Sequence, residues 1–191
     1  MQCQEIEHYF DKELAIPEFK PYLEAFNQVG LSKACQIIWL TRVYPFDKFL
    51  KDDRENITKR LNSNGKLCKY NLSLSQFKAS LGAGTIRNES GQRQGKNART
   101  SKVRDKRAKR KKAPSDGPTE LPIGDRFCRK SYFIWHLGNV ERETLKSPLG
   151  DKILAKNREQ IAKGKNGFQR TGNLQGYCAR LLYRELKTHL L

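Results

Sequence analysis

Twenty-two consecutive residues, from Gln92 to Ala113, hold eleven Lys or Arg against a single acid, Asp105. The cations are Arg93, Lys96, Arg99, Lys102, Arg104, Lys106, Arg107, Lys109, Arg110, Lys111 and Lys112, and they give this stretch +10 of the chain's formal +18. Val103 is its only large aliphatic side chain. Such a segment repels itself and has almost nothing to bury, so it is expected to be a long basic loop rather than core. The chain must fold from the residues on either side of it. The natural partner of the block is a polyanion, because each phosphate it neutralises releases counterions. The rest of the chain is also basic, which favours nucleic acid over a merely solubilising role.

The 191 residues suggest one domain or slightly more, in three parts. Residues 1–82 alternate apolar and polar at helical spacing, with one hairpin. Residues 83–124 are rich in Gly, Ser, Lys, Arg and Pro. Residues 125–191 return to helical periodicity and are expected to pack on the first part. The fold class read from this is mainly α: a helical domain with a helix-hairpin-helix-like segment, one small β-hairpin and the basic loop. No apolar run approaches a membrane span, and Met1-Gln2-Cys3-Gln4-Glu5 does not resemble a secretory signal. The five cysteines, Cys3, Cys35, Cys68, Cys128 and Cys178, show no Cys-x-x-Cys spacing. These features lead us to expect a cytoplasmic protein with no disulfide framework, no zinc and no membrane partner.

Ile6, Tyr9, Phe10 and Leu14 mark an amphipathic helix. Pro17 suits a helix start ahead of Phe19, Tyr22, Leu23 and Phe26. Gly30 breaks the chain. Ser32 is placed to cap a helix that carries Ala34, Cys35, Ile38 and Trp39. Pro45 opens a short turn with Phe46, Phe49 and Leu50. Asn62-Ser63-Asn64-Gly65 marks the turn of a hairpin over 55–71. Ser73 is a candidate cap for a helix with Leu74, Phe77 and Leu81, ended by Gly82 and Gly84. Asp125 can cap a helix whose inner stripe reads Phe127, Ser131, Ile134, Trp135 and Leu137. Ser147-Pro148 suggests the start of the next helix, with Leu149, Ile153, Leu154 and Ile161. The last helix carries Leu174, Tyr177, Cys178, Leu181, Leu182 and Leu186, with Arg180, Arg184 and Lys187 on its other side.

Three places could carry chemistry. The corner at Val29-Gly30-Leu31-Ser32-Lys33-Ala34 could bring a phosphate to a helix start, with Lys33 and Arg42 adding charge; an ordinary packed corner is the plainer reading. Ser90, followed by Gly91, lies between Arg87 and Arg93. A serine needs a base, a metal or strong electrostatic help to act as a nucleophile, and the two arginines could steady a pentavalent phosphate. On the helix after Asp125, Tyr132, Trp135 and His136 follow Arg126, Arg129 and Lys130. Aromatics among cations can stack on unpaired bases, yet Phe127 and Trp135 read as core. Arg129 and Lys130 are the expected phosphate contacts. The scattered His residues suggest no metal, and Asp52, Asp53 and Glu55 read as a solvated loop.

Six segments, in order, resemble the C-terminal domain of the insertion sequence 110 family of bacterial transposases. They are Phe26–Leu31, Val43–Leu50, Leu72–Gly82, Glu89-Ser90-Gly91, Asp125–Trp135 and Ala179–Leu186. The resemblance implies DNA transposition and recombination. A serine attacks DNA to form a phosphoserine link, a bridge RNA guides target choice, and an N-terminal RuvC-like domain supplies metal-binding carboxylates. Ser90 is the matching serine. Nothing in this chain resembles the RuvC-like domain, so no cofactor is expected here and magnesium only with that missing half. The expected partners are DNA, a guide RNA, and a RuvC-like protein or further copies of the chain. Alone, the chain is expected to bind nucleic acid without transferring strands. The rival is a non-enzymatic RNA- or DNA-binding protein whose basic loop orders on its target.

Overall fold

The computed structural model describes residues 12, 15–61, 65–83, 86–87, 97–98 and 125–191, with residues 60, 86–87 and 97–98 described by backbone alone. It is mainly helical with a small antiparallel hairpin. The apolar residues of the expected first helix (Ile6, Tyr9, Phe10 and Leu14), the hairpin turn Asn62–Asn64 and Gly84 lie outside the described residues.

A 3₁₀ turn, Pro17–Phe19, leads into α1 (Lys20–Val29). Tyr22, Ala25, Phe26 and Val29 recur at helical spacing and are buried. Gly30 ends α1 with φ +76°; its N–H donates to Phe26 O (2.9 Å), and the Leu31 N–H donates to the same oxygen (3.2 Å). A Cβ on Gly30 would also meet Leu145 Cδ1 and Ser147 Cβ at 2.7 Å, so glycine is needed for space as well as for conformation. Helix α2 (Lys33–Val43) buries Cys35, Gln36, Trp39, Leu40 and Val43. Ser32 occupies the cap position without a side-chain bond, and Ala34, expected inside, is exposed. A 3₁₀ turn, Phe46–Phe49, then turns two rings into the core.

Strands β1 (Ile57–Leu61) and β2 (Leu67–Asn71) pair antiparallel from Ile57 opposite Asn71 to Leu61 opposite Leu67. They run into α3 (Leu72–Ser80), whose cap is Asn71: its Oδ1 accepts the Leu74 N–H at 2.8 Å. Ser73, the expected cap, is instead buried, and its hydroxyl oxygen accepts the Asn56 N–H at 2.9 Å. A second antiparallel pairing, of two residues each, joins β3 (Ile86–Arg87) to β4 (Asn97–Ala98).

Asp125 caps α4 (Arg126–Trp135), accepting the Cys128 N–H at 2.8 Å, and the helix runs on through a π-helical turn, His136–Val140. Helix α5 (Gly150–Ala162) starts just past Ser147-Pro148, with the Gly150 N–H on Ser147 O. Helix α6 (Gly167–Leu190) opens with a capping box, Asn166 with Gln169. It lies against α1, α3 and α5, while α2 packs on α4. There Trp39 Nε1 donates to Cys128 O (3.2 Å) and the indole stacks on Tyr132 with ring centroids 5.9 Å apart. Phe46, Phe49, Phe77 and Tyr183 form an aromatic knot shared by the early segments and α6.

The inner face of α4 is not the expected one. Cys128, Tyr132 and Trp135 are buried, followed by His136, whereas Phe127 is 63% exposed, Ile134 61% and Leu137 46%. Two stripes at helical spacing share Trp135. The stripe bearing Tyr132 faces Trp39 and the Cys178 thiol (3.5 Å from the Tyr132 hydroxyl), and so it won the core.

Candidate nucleic-acid interface

The described residues before and after the basic stretch meet at one spot. The Asp125 N–H donates to Ser80 O at 3.4 Å, and a Cβ on Gly82 would stand 2.7 Å from Asp125 O. The described residues that flank 84–124, at the end of α3 and the start of α4, therefore meet. Ser90, Arg93, Lys96, Arg99, Lys102, Arg104, Lys106, Arg107, Lys109, Arg110, Lys111 and Lys112 lie outside the described residues, and Arg87 is placed by its backbone in β3.

At this meeting point Asp125 does two jobs. Its carboxylate caps α4 and pairs with Arg42 at 2.7 Å. Burial alone would raise its pKa, but the Cys128 N–H and the Arg42 guanidinium outweigh that and hold it below the usual carboxylate value. Arg42 is thus tied to Asp125. Arg129 is half-buried with its side-chain carbons against Gly82, where a Cβ would meet its Cγ at 2.7 Å. Burial lowers its pKa while the Asp125 charge opposes this, so the residue is as much a packing element as a cation. Lys130 is exposed on α4, and Lys33 is exposed in the first turn of α2.

The structure revises the corner at Gly30. Its N–H is taken by the carbonyls of Phe26 and Asn27, its carbonyl accepts Trp135 Nε1–H at 2.7 Å, and Leu145 and Ser147 cover it. Backbone approach by a phosphate at Gly30 is closed by the chain itself. Tyr132, Trp135 and His136 are core and cannot stack on bases. The aromatics that reach solvent on α4 are Phe127 and Phe133, beside exposed Arg126 and Lys130. Sequence spacing could not separate the two stripes. The clue was the placement of both cations on the stripe without Tyr132.

Of the acidic loop, Asp52 and Asp53 are exposed in a turn at positive φ. Glu55 binds Asn71 Nδ2 (2.7 Å) and Lys187 Nζ (2.8 Å), which ties the hairpin to α6. No group of three His, Cys, Asp or Glu among the described residues is arranged to hold a metal ion. No described helix is long and apolar enough to cross a membrane. Burial raises the Cys35 and Cys178 thiols to about 12, so both remain protonated and unreactive at neutral pH.

One ionisable cluster went unread in the sequence. His136, fully buried, bonds through Nε2 to Glu141 Oε1 (2.9 Å), and Arg170 Nη2 grips both Glu141 oxygens (2.9 and 2.7 Å). Burial lowers the His136 pKa despite Glu141, and its Nδ1 has no hydrogen-bond partner to receive a second proton's bond. For Glu141, burial pushes up, but Arg170 and His136 pull it lower overall. The unfolded chain therefore takes up the His136 proton at about pH 6.5, before the fold does. Stability from neutral His136 is present above that pH and is lost as pH falls toward the depressed folded value. The Glu141 contribution persists to about pH 4.5 and is lost only as pH falls through its own folded pKa. Urea melts at about pH 7.5 and about pH 5.5 are expected to show lower stability at the acid value, and His136→Gln is expected to shrink that difference. An undiminished difference in the variant would place the loss on other groups. No family model, curated protein or solved structure matches this chain.

Proposed function

We propose that this chain is the serine-bearing, nucleic-acid-binding part of a transposase of the insertion sequence 110 type, inactive in strand transfer without a RuvC-like partner. The observation that carries the binding half of this reading is the block of eleven cations between Gln92 and Ala113, in a stretch whose flanking residues meet at one point on a helical core. A polyanion is the partner that relieves its self-repulsion. The resemblance around Glu89-Ser90-Gly91 supports the serine. In this reading Ser90 is the nucleophile, Arg87 and Arg93 steady the attacked phosphate, and magnesium belongs with the carboxylates of the partner. The basic loop is the main grip on DNA or a guide RNA. The Gly30 corner serves packing, with Lys33 and Lys130 contributing charge at the surface.

The purified chain is expected to bind labelled DNA and RNA oligonucleotides at low ionic strength and to release them steeply as salt rises. Indifference to every oligonucleotide would end the reading. Ser90→Ala is expected to leave binding unchanged and to abolish DNA cleavage by the chain reconstituted with a RuvC-like partner. Cleavage that survives the change would remove the serine from the chemistry and leave a binding protein.

A further inference from the structure

Helix α4 has an outward face as well as an inward one. Arg126, Phe127, Lys130, Phe133, Ile134 and Leu137 are all exposed. Phe127, at 63%, keeps most of its ring in water, and Phe133 is 39% exposed. Helical geometry of about 100° and 1.5 Å per residue puts these two rings about 120° apart around the axis and about 9 Å apart along it. Arg126 and Lys130 lie within that arc. The residues from Arg126 to Val140 include no acid.

This face follows directly on Asp125, where the residues flanking the basic stretch meet. A second copy of the chain would bring the same cations against it. A purely apolar partner would bury the guanidinium and ammonium unpaired, at a high desolvation cost. A strand with unpaired bases suits both halves of the face, because its phosphates meet the cations and its bases offer flat surfaces to the rings. A duplex hides those surfaces in its own stack. We propose that the outward face of α4 is a stacking platform for an unpaired nucleic-acid strand, with Phe127 and Phe133 against bases and Arg126 and Lys130 against phosphates. The inference rests on the nucleic-acid reading above and gives it a strand preference.

The test uses the full chain with three probes at low ionic strength: oligothymidylate, oligouridylate and a DNA duplex of equal length. The Phe127→Ala, Phe133→Ala double variant is expected to lose at least about tenfold in affinity for one or both single strands. Its duplex binding is expected to stay within about twofold of the parent. Phe127 is mostly exposed and Phe133 is 39% exposed, so the double variant is expected to lose a little stability and still to fold, which a melt run beside the binding assay checks. Phe127→Trp should retain binding and should show fluorescence quenching by the single strand beyond that of the buried Trp39 and Trp135 in the parent. If the parent binds all three probes but the double variant loses nothing, or loses single strand and duplex alike, the platform is wrong while nucleic-acid binding stands. If the parent binds no probe, the broader reading fails too. A double variant that changes sedimentation of the chain, with its binding intact, would make this face a protein interface and overturn the proposal.

Discussion

Truncating Phe77 to alanine is expected to lower the unfolding free energy by about 4 kcal/mol, the middle of the range for removing a buried ring. Phe77 is fully buried on α3, and its ring centroid lies 5.2 Å from Phe49, 5.3 Å from Tyr183 and 6.1 Å from Phe46. Those partners come from the 3₁₀ turn and from α6, segments that cannot close over the gap without moving the Tyr44–Leu50 loop or a 24-residue helix. The loss combines the transfer term, the cavity term and three ring–ring contacts. Domains of this size are typically stable by only about 5–15 kcal/mol, so the variant should melt far earlier or populate unfolded chains at room temperature. Phe77→Leu should cost markedly less, since most of the volume stays filled. Equilibrium urea unfolding measures both. A loss for the alanine variant below about 1 kcal/mol would mean that α3 and α6 do not share one core.

Local chemistry in the sequence located the elements, but which side of each helix faces inward depended on partners that the sequence does not display. Pro17, Gly30, Gly82 and Asp125 all stand at helix boundaries for reasons that a short window contains: a fixed φ, a left-handed backbone, a side-chain acceptor one turn ahead. The stripe on α6 from Leu174 to Leu186 was legible because it is long and its cations fall on one side. On α4 the helix is short and apolar on most of its circumference. There the stripes through Phe127 and through Tyr132 fit the helical period equally well, and Trp39 and Cys178, from distant segments, decide between them. Ser73 illustrates the same limit at a cap. Asn71 stands two residues earlier with a better-placed oxygen, which frees Ser73 to serve the Asn56 N–H across the hairpin. The His136–Glu141–Arg170 cluster joins a π-helical turn to α6 over 29 positions of sequence, beyond any local pattern. The candidate interface was legible as charge, and its apolar component on α4 was not.

Removing residues 93–112 is expected to flatten the salt dependence of duplex DNA binding by roughly 5 in the log–log slope, if about six of the eleven cations touch phosphates. With that many contacts, the parent should lose about a thousandfold in affinity between about 50 and 200 mM salt, and the shortened chain only a small part of it. The variant is a fair test because the residues flanking the stretch are held together: Ser80 O receives the Asp125 N–H, and Gln175 Nε2 donates to Leu81 O (2.9 Å) beside it. Shortening a loop whose ends already touch alters closure entropy by under about 1 kcal/mol, so the core should melt as before. Exchanging the eight cations from Lys102 to Lys112 for glutamine offers a second version that keeps loop length and the Ile86–Arg87 pairing with Asn97–Ala98. The two variants separate charge from chain. If both flatten the slope, the phosphates are met by the cations themselves. If the deletion does so and the glutamine chain does not, the contact is made by Arg93, Lys96 and Arg99, which keep their charge in the second variant, or by the backbone. A slope unchanged in both would mean that the block takes no part in the contact, and the surface cations of α2 and α4 would then have to account for all of the binding.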